Sequence, residues 1–451
     1  MGLTGRRPKQ VLPRVRRHIH DLPPELIRRI FVLCLPENPY TRVIARVTIN
    51  EAPLLLCKIC SSWRSVALGM PDLWRNIQHR ISQVATDDGD RCTSQPSVDV
   101  VDHWLERCQH TPTAVRLDFA ASSLESAMDV GLVPLHRLLT SRGILNARNI
   151  ELRAERLEDL QCIRSIDHRE VFYSAESLAI FVQQGLPNSH PPSSFPPSPH
   201  LRRLFIRNYL QDYFSPIHLF PWAQLTHLIS ECYIGPTTWR TTNGRTDKTA
   251  GDVTMSLTLP LLRRLTVLLV DNIQRDGRIV DNLLVGLEFP NLDFLQISSC
   301  STEVHVYNWA NLFSQAPAVK TLHIGPYLSF SHSPFLSSLD THLPKLHTLT
   351  LDLSTEVPPL FAPFSPQLFA DFITSRSSAS KCHSPSPSPI THFALAYTEG
   401  NPSGGGVSKM LDALRAVMAD DGFEVDVAIN PPYQLPSPPD NSRRWYEILD
   451  S

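Results

Sequence analysis

Apolar residues follow two different rhythms along this chain. Between Asp21 and Gln78 they recur at helical spacing, and from about Thr113 onward they recur at strand spacing inside a repeating frame. The first stretch opens HDLPPELIRRIFVLCLP. Pro23 and Pro24 stand where a helix begins, since a missing N–H costs nothing in a first turn. Asp21 and Glu25 place negative charge at the positive end of its dipole. Leu26, Ile27, Ile30, Phe31 and Cys34 then fall at helical spacing, with Arg28 and Arg29 on the other face and Pro36 as the stop. After an insertion from Glu37 to Ile49, Asn50 can cap a second helix. Its Leu56, Ile59, Cys60, Trp63, Val66 and Ala67 read as one stripe, closed by Gly69 and Pro71. Leu73, Trp74 and Ile77 predict a last amphipathic turn.

A polar linker from Thr86 to Ser97 precedes a helix over Val98 to Cys108 that carries Val101, Trp104 and Leu105. Beyond it the frame apolar-x-x-apolar-x-apolar recurs. The copies are Leu201-Leu204-Ile206, Leu262-Leu265-Val267, Leu292-Leu295-Ile297, Val319-Leu322-Ile324 and Leu346-Leu349-Leu351, with a degenerate one at Leu225-Leu228. Successive starts at 201, 225, 262, 292, 319 and 346 give steps of 24, 37, 30, 27 and 27. Pro199, Pro260, Pro290, Pro317 and Pro344 precede five of them. Shorter matches stand at Val115-x-Leu117, Ile150-x-Leu152 and Phe393-x-Leu395. Each copy predicts a short strand whose alternate residues point inward, followed by a returning helix or loop such as Asn308 to Gln315. One such unit cannot bury its apolar face alone, so neighbours must stack. An unrelated α/β domain with strands of the same form fits these residues too. Met410 to Met418 reads as a helix and Phe423 to Ile429 as a strand. Three segments rich in Pro, Ser, Thr and Gly, near 186–200, 235–251 and 375–389, read as loops inserted into the array.

An ordinary three-helix unit has the pattern of the first stretch. Against it stands a surplus of large side chains, because so short a segment buries only about 60% of its surface. Leu22-Pro23-x-Glu25-Leu26, Ile30-Phe31, Cys60-x-x-Trp63-Arg64 and Pro71-x-Leu73-Trp74 resemble the F-box, in the F-box-like variant with a longer break after its first helix. The resemblance implies docking on the Skp adaptor of cullin–RING ubiquitin ligases. Leu22, Pro23, Leu26, Ile30 and Leu55 would make the adaptor contacts, and Trp63 would belong to the unit's own core. The later frame resembles the leucine-rich repeats often found behind an F-box, and its spacing fits their 20–29 residues once loops are allowed for. Together they imply an α+β chain: a three-helix F-box-like unit over 19–80, then an irregular α/β leucine-rich-repeat solenoid over 113–430. A basic tail over 1–18, a linker with its helix over 81–112 and a tail over 431–451 complete the organisation.

If the strands form so, the residues between the inward leucines line one open face. Arg203, His227, Arg264, Phe294, Thr321 and Thr348 make one row, and Phe205, Ile229, Thr266, Gln296, His323 and Thr350 the row beside it. Arg203, Phe205, His227, Arg264, Phe294, Gln296 and His323 are the candidate substrate-binding residues.

Composition adds limits. Across 451 residues, 42 basic and 44 acidic side chains leave a net charge of −2, so no global field favours nucleic acid. No apolar run reaches membrane-spanning length. Nine scattered cysteines suit reduced thiols of the cytoplasm or nucleus. The basic residues among the first 17 read either as a nuclear-import signal or as a solvated tail. Cys57-x-x-Cys60 lacks a second pair at zinc spacing and reads as two small buried thiols in a helix. The glycine-rich loop from Asn401 to Lys409 lacks the order of a phosphate cradle, and the Ser-Pro steps at Ser384, Ser386 and Ser388 read as linker or as phosphorylation sites. No catalytic constellation, metal site or cofactor motif emerges. The expectation is a non-catalytic substrate receptor that joins the Skp adaptor and cullin scaffold to an unknown protein substrate. The alternative is a scaffold that uses the same unit and serves no ligase.

Overall fold

The computed structural model describes residues 22–35, 45–46, 50–81, 98–108, 114–119, 144, 146–156, 173–184, 198–208, 221–231, 257–269, 287–299, 304–305, 308–325, 328–329, 332–353, 366–379, 388–397, 412 and 424–429. Among them the chain is mixed α/β, with seven α-helices and a large parallel sheet. Asp21, the 235–251 segment, the glycine-rich loop, Ser384 and Ser386 lie outside the described residues, as does all of the 410–418 helix except Asp412.

Helix α1 (Pro24–Leu33) begins on its proline, and the Cys34 N–H closes it on the carbonyls of Ile30 and Phe31. Ile27 and Phe31, one turn apart, are buried together with Leu35. The single helix expected from Asn50 to Gly69 is instead broken into α2 (Leu56–Ile59) and α3 (Ser61–Leu68). Cys60 between them is extended, and its Sγ accepts the Trp63 N–H at 3.4 Å, as an N-cap does. Arg64 Nε donates to the Cys57 carbonyl at 2.8 Å, which satisfies an acceptor left open at the break. The expected stripe therefore splits. Leu56, Trp63 and Ala67 turn inward while Ile59 is exposed, and the two cysteines are half-buried at a helix junction.

A second correction follows at once. The 3-10 turn Pro71–Leu73 leads into strand β2 (Asn76–Ile81), not into a last amphipathic turn, so the boundary expected at residue 80 falls inside a strand. Helix α4 (Val98–Arg107) buries Val101, Trp104 and Leu105 as expected. Trp104 meets Trp74 edge-on at 4.9 Å and donates through Nε1 to the Trp74 carbonyl at 2.9 Å. Trp74 Nε1 in turn donates to the Ala67 carbonyl at 3.0 Å, and the Arg107 guanidinium sits 5.0 Å from the Trp74 ring centre. This tryptophan pair fastens the N-terminal helices to the start of the sheet.

Among the described residues the sheet has 13 strands. After β1 (Ala45–Arg46) and β2 come β3 (Ala114–Phe119), β4 (Asn149–Arg156), β5 (Ser177–Gln184), β6 (Arg203–Asn208) and β7 (His227–Glu231). The short β8 (Leu257–Thr258) pairs in parallel with β10 (Leu287–Glu288) in a separate sheet, and β12 (Val304–His305) with β14 (Leu328–Ser329) in another. The main sheet continues through β9 (Arg264–Leu269), β11 (Phe294–Ser299), β13 (Thr321–Ile324), β15 (Thr348–Leu353), β16 (His392–Tyr397) and β17 (Glu424–Ile429). Each of its strands lies beside the preceding one in chain order, and every pairing is parallel.

In that register the inward residues stack into two continuous ladders. One runs Ile77, Val115, Ile150, Leu178, Leu204, Leu228, Leu265, Leu295, Leu322, Leu349 and Phe393. Every member is buried. The second is equally closed but holds His79 and Ser230 among Leu117, Leu152, Ile180, Ile206, Val267, Ile297, Ile324, Leu351 and Leu395.

The prolines of the repeating frame now have a reason. In the turns that open β6, β9, β11, β13 and β15, the N–H of Leu201, Leu262, Leu292, Val319 or Leu346 donates to the carbonyl three residues earlier. Pro199, Pro260, Pro290, Pro317 and Pro344 occupy the second turn position, where a φ fixed near −65° is already suited. Behind the later strands pack α5 (Trp309–Ser314), α6 (His332–His342) and α7 (Pro366–Ala379). Asn308 caps α5 by accepting the Asn311 N–H, and Trp309, Phe313, Phe335 and Phe369 form one aromatic seam. Helix α7 reaches into the loop expected over 375–389. Arg376 is buried and donates to the Leu343 carbonyl at 2.7 Å, a bond that favours helix over loop. Ser198, at the end of the loop expected over 186–200, is buried and donates to the Ala175 carbonyl.

Candidate functional site

Two surfaces stand out from the buried ladders. The first is on the N-terminal helices. Of the nine large apolar side chains left exposed among the described residues, six fall between Leu26 and Leu68: Leu26, Val32, Leu33, Leu55, Ile59 and Leu68. Leu33 is 72% exposed, Ile59 54% and Leu26 48%. At 100° per residue, Leu26, Ile30 and Leu33 form one row along α1, beside the inward row of Ile27 and Phe31; Leu22 stands just before the helix and the buried Leu35 just after it. Leu22 and Ile30 are half-buried at the margin of the core, and Pro23 is exposed. Trp63 lies within the unit's own core, 4.9 Å from Phe31 between ring centres. The sequence reading missed Leu33, Ile59 and Leu68. Leu33 was within reach, because it lies seven residues after Leu26, whereas Ile59 and Leu68 depend on the break at Cys60.

The second surface is the sheet face opposite the ladders. Arg203, His227, Arg264, Phe294, Thr321 and Thr348 are register partners in consecutive strands, and all are half-buried. The neighbouring row Phe205, Ile229, Thr266, Gln296, His323 and Thr350 is also in register. Its openness needs correction. Phe205 is only 1% exposed and packs on Phe181 at 4.7 Å, in a second apolar cluster with Ala179 and Ile229. Thr266 and Gln296 are buried as well, and only His323 and Thr350 remain half-buried. Side chains of this size on strands about 4.8 Å apart shield one another.

Charge divides this face. Over β3 and β4 the groups neutralise one another: Arg116 Nε reaches Asp118 Oδ1 at 2.9 Å and Glu151 Oε1 at 3.5 Å, and Arg153 Nε also bonds Glu151. Gln78 donates to the other Asp118 oxygen, and the Arg153 guanidinium lies over the Phe181 ring. Over β6, β7 and β9 the balance is cationic. Burial, together with the guanidinium groups of Arg203 and Arg264, lowers the pKa of His227 to about 4, so its imidazole is neutral near pH 7. Arg264 stands 5.3 Å from the Phe294 ring centre.

Ser388 is half-buried and its N–H donates to the Pro344 carbonyl. Burial pushes the Cys57 thiol pKa up, with Arg107 and Arg64 pulling against it. Among the described residues no helix is long and apolar enough to cross a membrane. The chain matches no protein-family model and no curated protein. What stands on its own is a mixed α/β chain with an apolar helical face and a sheet face that is cationic at its centre.

Proposed function

We propose that this protein is the substrate receptor of a Skp–cullin–F-box type ubiquitin ligase. In this reading residues 19–80 are an F-box-like unit that docks on the Skp adaptor, and the strand array is a leucine-rich-repeat solenoid that holds a protein substrate. The protein carries out no bond chemistry. It raises the effective concentration of a substrate beside the ligase's ubiquitin-loading arm.

The observation that carries the reading is the outer side of α1, with Leu26 and Leu33 exposed, Ile30 and the preceding Leu22 half-buried at its margin, and Leu55 and Ile59 exposed in the same small unit. Exposed leucines scattered singly need no explanation, but a helix that presents one apolar row inward and a second outward fits burial against a partner. Further support comes from the inward position of Trp63, which the F-box resemblance implies for that residue. Chain-ordered parallel strands with a proline turn before five of them favour the repeat reading.

The test is co-elution of the full chain with a purified Skp-type adaptor. Leu26→Asp with Leu33→Asp abolishes co-elution and leaves the circular dichroism unchanged, because both side chains are already exposed. An intact complex with that double variant would overturn the docking face. Binding of the adaptor without ubiquitination of any captured partner would favour the ligase-independent scaffold.

A further inference from the structure

The positions that open the strands form a ladder of their own. From Arg148 the backbone N–H of each next member donates to the carbonyl of the one before it: Glu176, Arg202, Thr226, Arg263, Asp293, Lys320 and His347. In β6, β7, β9, β11 and β13 this edge row reads Arg202, Thr226, Arg263, Asp293 and Lys320. The row directly inside it reads Arg203, His227, Arg264, Phe294 and Thr321. These ten positions hold four arginines and a lysine against the one carboxylate of Asp293. Asp293 is shared between Arg263 at 3.3 Å and Lys320 at 3.0 Å. Arg202 and Arg263 are both exposed.

The concentration is local: the whole chain is slightly acidic, and the charges over β3 and β4 of the same face are paired among themselves. His227 lies between Arg203 and Arg264 in register, and burial first, then the two guanidinium groups, lowers its pKa to about 4, so the middle strand adds no third cation near pH 7. Arg203 and Arg264 stand two strand spacings apart, roughly 10 Å. In a polyproline II segment, an extended form with three residues per turn and a rise of about 3.1 Å, residues three apart lie on one side of the chain and span roughly the same distance.

We propose that the strand openings of β6, β7 and β9 bind an extended polypeptide segment bearing anionic groups three residues apart, with Arg203 and Arg264 as the two anchors and Arg202 and Arg263 at the rim. The anion is a carboxylate or a phosphate. Phe294 and Thr321 carry the row onward with an aromatic ring and a hydroxyl, and the Arg264 guanidinium, 5.3 Å from the ring centre, already takes one face of that ring, which suits a peptide side chain better than a stacked base. This deepens the receptor reading and rests on it only in calling the segment a substrate; the binding itself needs no adaptor.

The experiment is fluorescence anisotropy on the full chain with three labelled probes: a Gly/Ser peptide carrying Glu at every third position, the same peptide with phosphoserine at those positions, and a single-stranded oligonucleotide of equal charge. At least one peptide binds, more weakly as salt is raised. Arg203→Glu with Arg264→Glu weakens it by at least about tenfold, since attraction becomes repulsion at short range. Because both side chains are half-buried, Arg202→Ser with Arg263→Ser is the companion variant. These two arginines are exposed, their contacts to the Gln224 carbonyl, the Asn291 carbonyl and Asp293 are long, and the pair should cost binding about threefold and stability little. Lys345→Glu, exposed and outside the patch, serves as the unchanged control. Whichever peptide binds tighter distinguishes carboxylate from phosphate. Failure of both peptides to bind, loss-free binding in both double variants, or tighter binding of the oligonucleotide overturns the proposal. Co-elution with the adaptor is read separately, so a failed peptide assay leaves the docking face standing, and the reverse.

Discussion

The two ends of this molecule spend leucine differently. In the sheet, each apolar position of the strand frame finds its counterpart one strand away, and the first ladder is closed from Ile77 to Phe393. In the N-terminal helices, α1 carries two apolar rows: Ile27 and Phe31 are buried, Phe31 against Trp63, while Leu26 and Leu33 meet solvent. Stacking supplies a sheet with its own partner, repeat after repeat. A short helical unit has no such supply, and its second row is available to something outside the chain.

The largest effect should separate these two kinds of leucine. Leu349→Ala removes a fully buried side chain flanked in register by Leu322 and Phe393. It should cost about 2–5 kcal/mol in urea melts. Leu33→Ala, at the exposed end of α1, should stay within about 0.5 kcal/mol of the parent. Equal losses would mean that the outer row of α1 is core after all.

The one basic side chain in the ladders offers a sharper test. His79 is buried, its Nδ1 has no hydrogen-bond partner, and burial lowers its pKa to about 4 despite the nearby Asp118 carboxylate. The folded value lies below the ordinary 6.5. Between about pH 6.5 and 4 the unfolded chain therefore holds a proton that the folded chain refuses, and stability falls as pH drops through that window. His79→Leu removes this penalty and continues the ladder into Leu117. Its gain over the parent should be larger at pH 5 than at pH 7 by on the order of 2 kcal/mol. A gain independent of pH would show that His79 titrates normally.

How much of this was legible in the sequence follows from the same contrast. The strand frame announced itself because a period of two and a proline turn repeat together, and Leu201, Leu262, Leu292, Val319 and Leu346 all open strands in register. Strand β5 escaped notice because Leu178 through Val182 is apolar on both faces, so nothing alternates. Strand β2 escaped because Trp74 and Ile77 also fit a helical turn, and only pairing with β3 decides between them. On the candidate surfaces, the in-register rows were legible from the frame, but the enclosure of Phe205 was not, since it depends on Phe181 of the overlooked strand. Ile59 was assigned to an inward stripe because nothing in a cysteine announces a helix break.

That break is the last and smallest point at which the comparison can be tested. Cys60 holds an extended backbone between α2 and α3, and its thiol caps α3 as a weak acceptor at 3.4 Å. Cys60→Ser keeps a cap and supplies a better acceptor, so urea melts should show an unchanged or slightly raised stability. Cys60→Ala removes the acceptor and should cost roughly 0.5–1 kcal/mol. The more telling readout is adaptor binding. Ile59 is exposed because the chain leaves helical geometry immediately after it. If the break sets the outward apolar face, alanine, which favours a continuous helix, should weaken co-elution with the adaptor more than its small stability loss accounts for, and serine should not. Parallel behaviour of the two variants would show that the geometry at Cys60 is fixed by the packing of Trp63 and Phe31 alone.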